Sequence, residues 1–294
     1  MIIIQNITES SLNKFLGRKS MRKLVGDILC YILLISIGIA MLLPFLWMIS
    51  SSLKSRGDVF IFPPQWIPKP IRWHNYVEAM TTVPFSRFIK NSIQITILVI
   101  IGQVVSSSLV AFGFARLRFI GKNILFMILL STMMIPYHVT LIPLFITFRK
   151  IGWINTFKPL IIPAYFGSPF FIFLLRQYIM TIPLAFDDAA KIDGCGYFQL
   201  FYKIIIPLIK PVLITISIFS FLWTWNDFMG PLIYINDMEK FTVTLGLNLF
   251  RYSYGTEWHL LMAASTIALL PCLVIFFIAQ RYIIGGIVLS GLKQ

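Results

Sequence analysis

Residues 28–53 read ILCYILLISIGIAMLLPFLWMISSSL, a run with no lysine, arginine, aspartate or glutamate. It exceeds the roughly 18 apolar residues that mark a helix able to cross a bilayer. Three more charge-free runs follow, Asn91 to Ala115, Asn123 to Phe148 and Trp258 to Gln280. Two shorter ones, Pro159 to Leu175 and Pro211 to Asn226, reach the minimum length if Arg176 and Lys210 carry their head groups to the interface. The pattern predicts an all-α, polytopic membrane protein. Its six helices fall at roughly 27–52, 88–115, 123–146, 160–182, 208–231 and 259–282.

Composition agrees with this reading. Of the 294 residues 58% are hydrophobic and 12% charged, against about 25% charged in a soluble domain. The formal net charge of +14 lies between the hydrophobic runs. There it reads as membrane-surface anchoring, not as a nucleic-acid footprint. Cys30, Cys195 and Cys272 lack metal-ligand spacing and read as packing residues, so no metal site is expected. The basic cluster Lys14, Arg18, Lys19, Arg22 and Lys23 precedes an apolar run too long for a signal-peptide core, which makes an uncleaved first span.

An even number of spans puts both termini on one side. With the termini inside, cytoplasmic segments hold 14 lysines and arginines and outer segments 11. This favours that orientation without fixing it, because the outer segment from Lys54 to Lys90 holds six. Residues 53–87 form a long outer loop. Pro63, Pro64, Pro68 and Pro70 predict an irregular surface cap, with Trp66 and Trp73 as interfacial aromatics or partner contacts. Ser107, Ala111 and Ala115 recur every fourth residue in the second span and permit close helix approach.

The connection from Pro183 to Pro211 is too long and too patterned for a simple hairpin. Asp187 and Asp188 suit the positive N-terminal end of a short helix, Ala189 and Ala190 propagate it, and Asp193-Gly194 stops it. A second helix is expected from about Tyr197 to Ile206, with Phe198, Phe201 and Ile205 on one face and Pro207 and Pro211 turning into the fifth span. A short alanine helix held on the cytoplasmic surface by an amphipathic one has the geometry of a docking element. A loop lying on lipid headgroups is the other reading.

Asp188-Ala189-Ala190-Lys191-Ile192-Asp193-Gly194, followed by Phe201, Pro207 and Pro211, resembles the Glu-Ala-Ala loop of ABC importer permeases. Asp188 replaces the usual glutamate and Cys195 a common alanine. Ser51-Ser52-Leu53-Lys54 with Phe62-Pro63-Pro64, Trp225-Asn226-Asp227, and Gln280-Arg281-Tyr282 through Gly291-Leu292-Lys293 extend the likeness. They resemble the second permease subunit of maltose-type carbohydrate importers over about residues 27–293. The resemblance implies a type I ABC importer permease of six transmembrane helices with both termini cytoplasmic. Its parts would be an N-terminal segment (1–26), a permease domain (27–283) with a coupling loop (184–207), and a cytoplasmic tail (284–294) that reaches toward the ATPase.

It further implies that Asp188, Ala189, Ala190, Asp193, Gly194, Phe201 and Pro207 couple the chain to an ATPase cleft. The implied assembly has a second, homologous permease, two ATP-binding subunits, an extracytoplasmic solute-binding protein and the lipid of a bacterial or archaeal plasma membrane. This chain would form half of the translocation pathway for a carbohydrate, an oligosaccharide first, with a glycerol phosphate ester as the alternative cargo. It would bind no cofactor itself, ATP and Mg residing on the partners. No Gly-x4-Gly-Lys-Ser/Thr loop is present, Gly121-Lys122-Asn123 lacking the spacing and the hydroxyl. No His-Glu-x2-His or serine–histidine pairing suggests an intramembrane enzyme, so no catalytic residue is expected.

An ion-coupled secondary carrier is the competing class, but mid-span acids, its usual mark, are absent. Asp227 is the one acid near a span. With Trp225 and Asn226 it is a candidate for the outer mouth of the pathway, stacking on or hydrogen-bonding to sugar hydroxyls, or else for packing and a helix-end hydrogen bond. His138 reads as a packing histidine. Pro44, Pro136, Pro143 and Pro271 are expected to bend their helices.

Overall fold

The computed structural model describes residues 2–252 and 256–291, with side chains from 23 to 251 and from 256 to 280. Among the described residues all regular structure is helical. Four helices are long and apolar enough to cross a membrane: Lys23–Ser52 (span 1), Phe85–Arg116 (span 2), Lys158–Thr181 (span 4) and Trp258–Gln280 (span 6). Two bent pairs complete six. Lys122–Met134 with Tyr137–Lys150 turns by 97° (span 3), and Tyr197–Leu208 with Lys210–Trp225 turns by 77° (span 5).

Proline chemistry accounts for both bends. In span 3 the break falls at Ile135-Pro136, each with extended backbone, because the ring of Pro136 forces its predecessor out of the helical region. In span 5 the turn falls at Ile209 between Pro207 and Pro211. Neither proline can donate to the carbonyl four residues back. His138, just past the first break, is exposed beside the Tyr137 ring and so is not the packing histidine expected from the sequence.

Span 2 is the axis of the fold. One cluster, toward its Arg116 end, joins Ala111 and Phe112 to Phe171, Leu175 and Ile179 of span 4 and to Ile205, Val212 and Ile216 of span 5. Ser107 and Ala111 are fully buried there, so the four-residue repeat of small side chains does allow the close approach. Gly102 makes the same point one layer further out. A Cβ at Gly102 would lie 2.7 Å from the Tyr165 ring. A second cluster, toward the Phe85 end, gathers Phe85, Phe88, Trp225, Val243, Phe250 and Leu260.

Three features differ from expectation. The outer loop is not wholly irregular, for it contains the helix His74–Thr82. Asn75 anchors that helix by donating to the carbonyls of Ser52 and Lys54 at 2.8 and 2.7 Å. Such long-range side-chain bonds leave no periodic trace in the sequence. The fifth span, expected to reach residue 231, stops as a helix at Trp225. A separate helix, Met229–Tyr234, begins beyond Asp227. Span 6 continues as helix to Gly291, past its expected end at 282. Leu292 and Lys293 lie outside the described residues, as do the side chains of Lys14, Arg18, Lys19 and Arg22.

Candidate functional site: coupling helix and polar cavity

The connection after span 4 forms the short helix Ala185–Ile192. Gly194, at φ +76°, closes it. The Cys195 N–H donates to the Ala190 carbonyl at 2.9 Å and the Gly194 N–H to the Lys191 carbonyl at 3.0 Å. This double bond pattern satisfies carbonyls that a helix end leaves free, and it requires a left-handed residue at the glycine.

Asp187 and Asp188 occupy the first turn, where the helix dipole favours them, but neither side chain caps the helix. They diverge instead. Asp188 is exposed and pairs with Lys191 at 3.3 Å on its own helix. Asp187 turns inward, and its Oδ2 meets the Nε of Arg116 at 3.0 Å, the two side chains being 6% and 4% exposed. Arg116 also donates through Nη2 to the Ile182 carbonyl at 2.8 Å. The last turn of span 2 is thereby tied both to the coupling helix and to the backbone that leads into it.

The faces of this segment differ from the expected ones. Ala190 is buried in the cluster that also holds Phe112, Leu200 and Phe201, and only Ala189 of the pair faces outward. After Gly196 the chain runs Tyr197–Gln199 as α-helix, then Leu200–Ile205 as π-helix. The wider π turn puts Leu200, Phe201 and Ile205 inside. Phe198, expected beside them, is 75% exposed. Leu184, Phe186, Ile192, Tyr197 and Tyr202 are also exposed, Ile192 at 87%. The result is an apolar rim around the polar end of the coupling helix. Pro207 is exposed at the turn into span 5, Asp193 at the end of the coupling helix.

Between spans 2, 4 and 5 lies a cavity of about 320 Å³. Span 2 contributes Ser92, Ile95, Val99 and Gln103, and span 5 contributes Ser220, Trp223, Thr224 and then Asp227. Asp227 lines this cavity, and its Oδ1 accepts the Gly230 N–H at 3.1 Å. Asn226 is exposed and donates to the Leu222 carbonyl at 2.8 Å. Trp225 does not reach the cavity. It is 3% exposed, donates from Nε1 to the Ala268 carbonyl at 3.1 Å and stacks on Phe221. The tryptophan at the cavity is Trp223, 54% exposed and stacked at 5.1 Å on Phe171. Two residues on a helix are about 200° apart, so the two indoles face opposite ways. The signal was present in the sequence: Ser220, Thr224 and Asp227, at i, i+4 and i+7, form a polar stripe on a largely apolar span.

A family model described as "Binding-protein-dependent transport system inner membrane component" matches residues 103–287, the stretch that holds both the coupling helix and most of the cavity wall. The chain belongs to that family. Among similar proteins, the probable ABC transporter permease protein YurM of Bacillus subtilis is 34% identical over 92% of this chain and 89% of its own. The arabinooligosaccharides transport system permease protein AraQ of Halalkalibacterium halodurans is 32% identical over 83% and 86%. The probable starch degradation products transport system permease protein AmyC of Thermoanaerobacterium thermosulfurigenes is 32% identical over 85% and 91%. The fold matches that of a chain in a solved bacterial ABC transporter involved in the import of the acidic polysaccharide alginate, with a TM-score of 0.78, 21% identity and coverage of 88% and 96%.

As an ABC importer permease the chain is a multi-pass component of the inner membrane and a transport subunit, not an enzyme. The family sets aside the ion-coupled carrier. Its fold, six apolar crossings with a short helix on the connection between spans 4 and 5, is the type I importer architecture.

Proposed function

We propose that this permease forms half of the translocation pathway of an ATP-driven carbohydrate importer, with oligosaccharides as cargo. A second, homologous permease supplies the other half, and an extracytoplasmic solute-binding protein delivers the cargo. Two ATPase subunits, which hold ATP and Mg, drive transport by gripping the Asp188–Gly194 end of the coupling helix. Both termini are then cytoplasmic, on the same side as that helix. The relatives named for arabinooligosaccharides and starch degradation products support the cargo class.

The observation that carries the mechanism is the contrast between the two faces of Ala185–Ile192. Its inner face is fixed by Asp187 and Ala190, while its outer face offers Asp188, Ala189 and Ile192 inside an exposed aromatic rim. Large apolar side chains exposed beside the membrane suit a protein cleft. When ATP closes the ATPase dimer, motion of the helix passes through Arg116 into span 2. About 20 Å along that span, at 1.5 Å per residue, lies Gln103 on the cavity wall. Ile192→Asp and Phe198→Asp should insert normally yet fail to retain the ATPase on co-purification and abolish uptake. ATPase retained at the wild-type level, with normal uptake, would overturn the docking assignment.

A further inference from the structure

We infer that the cavity selects a non-acidic, hydroxyl-donating glycan, and that Asp227 and the lone Gln103 acceptor beside it exclude uronic acids and phosphate esters. The inference rests on the carbohydrate reading and narrows it. The wall of this cavity holds no lysine, arginine or histidine, and Asp227 is its one carboxylate. Among the described residues Asp227 forms no ion pair. A second acid entering the cavity would therefore meet a like charge with no cation between them, in surroundings where charges are weakly screened.

The hydrogen-bonding inventory points the same way. Gln103 Oε1, an acceptor only, is buried beside the cavity without a partner, as is Ser220 Oγ, a hydroxyl that can either donate or accept. A buried acceptor left alone costs about 1–3 kcal/mol, so such groups are normally met by water or ligand. An amide oxygen and a carboxylate accept and do not donate. The complementary ligand group is a donor, which a sugar hydroxyl is and an ionised carboxylate or phosphate is not. Tyr137 and Trp223, both exposed, give the same wall apolar ring surface on which the C–H faces of a pyranose can lie. A site built to donate to an acid would show the opposite set, with arginine forks or lysine ammonium groups.

The test uses the complete permease–ATPase assembly, locked in its nucleotide-bound state by a hydrolysis-blocking variant of the ATPase, with the solute-binding protein omitted. Binding of neutral arabino-, gluco- and xylo-pentasaccharides is compared with that of a galacturonate pentasaccharide by equilibrium dialysis. At least one neutral glycan should bind at least about tenfold more tightly than the uronate. Asp227→Asn keeps an acceptor for the Gly230 N–H but removes the charge, so it should narrow that ratio at least about threefold, chiefly through tighter binding of the uronate. Gln103→Leu should weaken binding of the neutral glycan. Equal affinities in the wild type, an unchanged ratio in Asp227→Asn, or no binding of any glycan would overturn the inference. Uptake of the neutral glycans by the full importer with its binding protein tests the carbohydrate reading separately, so failure there is distinguishable from failure of the charge filter.

Discussion

Removing the carboxylate at position 187 isolates the step between the ATPase and the pathway. In Asp187→Ala the guanidinium of Arg116, 4% exposed, keeps only its bond to the Ile182 carbonyl. Breaking a buried ion pair from one side costs about 3–5 kcal/mol, because the remaining charge is uncompensated. With about 1.4 kcal/mol per decade, that is two to four decades in the equilibrium for the coupling helix to detach from span 2. Hydrogen exchange of the peptide covering 185–195 in the purified importer should accelerate by about a hundredfold or more, up to the limit of an unprotected amide. Uptake should fall while ATP hydrolysis persists, since the proposed docking face of Asp188, Ala189 and Ile192 is untouched. The double variant Arg116→Met with Asp187→Leu removes both charges, and buried pairs so replaced are often neutral in stability. It should restore slow exchange. Wild-type exchange in Asp187→Ala, or exchange as fast in the double variant as in the single one, would refute the view that this pair holds the helix.

The remaining predictions concern backbone, packing and a buried cation. Gly194→Val should cost about 1–2 kcal/mol and weaken ATPase coupling through its φ of +76° alone, since nothing lies within 4 Å of a Cβ there; Gly194→Asn should be milder. Trp225→Ala should destabilise the protein by about 3–5 kcal/mol, whereas Trp223→Ala should leave thermal stability nearly intact and raise the KM for uptake. Gly102→Ala, which sets a methyl 2.7 Å from the Tyr165 ring, should lower the midpoint of thermal unfolding by the equivalent of about 1–3 kcal/mol. Burial lowers the pKa of Lys54 below 10.5, with Asp58 opposing. The unfolded chain then binds more protons in the window between the folded value and 10.5, so stability should rise with pH there. Lys54→Met should abolish that rise, as thermal unfolding across alkaline pH would show.

What the sequence disclosed depended on how locally each feature is encoded. The bilayer core offers the backbone no water, which leaves only helices and closed barrels for a lipid-exposed crossing, so a long apolar run such as 28–53 declares a helix without any knowledge of neighbours. The stop at Gly194 is equally local, because one glycine conformation and two backbone bonds make it. Direction on a helix is a different matter. Whether Ala190 or Ala189 faces a partner depends on where Arg116 waits, and that residue is 71 positions from Asp187 in the chain. The π turn at Leu200–Ile205 rotates Phe198 outward with no change of composition to announce it. The tryptophans make the sharpest case. Trp225, adjacent to Asn226 and Asp227, is conspicuous as a motif and is consumed by packing, while Trp223 belongs to the stripe of Ser220, Thr224 and Asp227. Adjacency in sequence is the wrong metric on a helix, where neighbours are three, four and seven apart. A pathway wall must be polar on one face of an apolar span, so the residues that build it are legible when the span is read at helical period and are lost when it is read as a string.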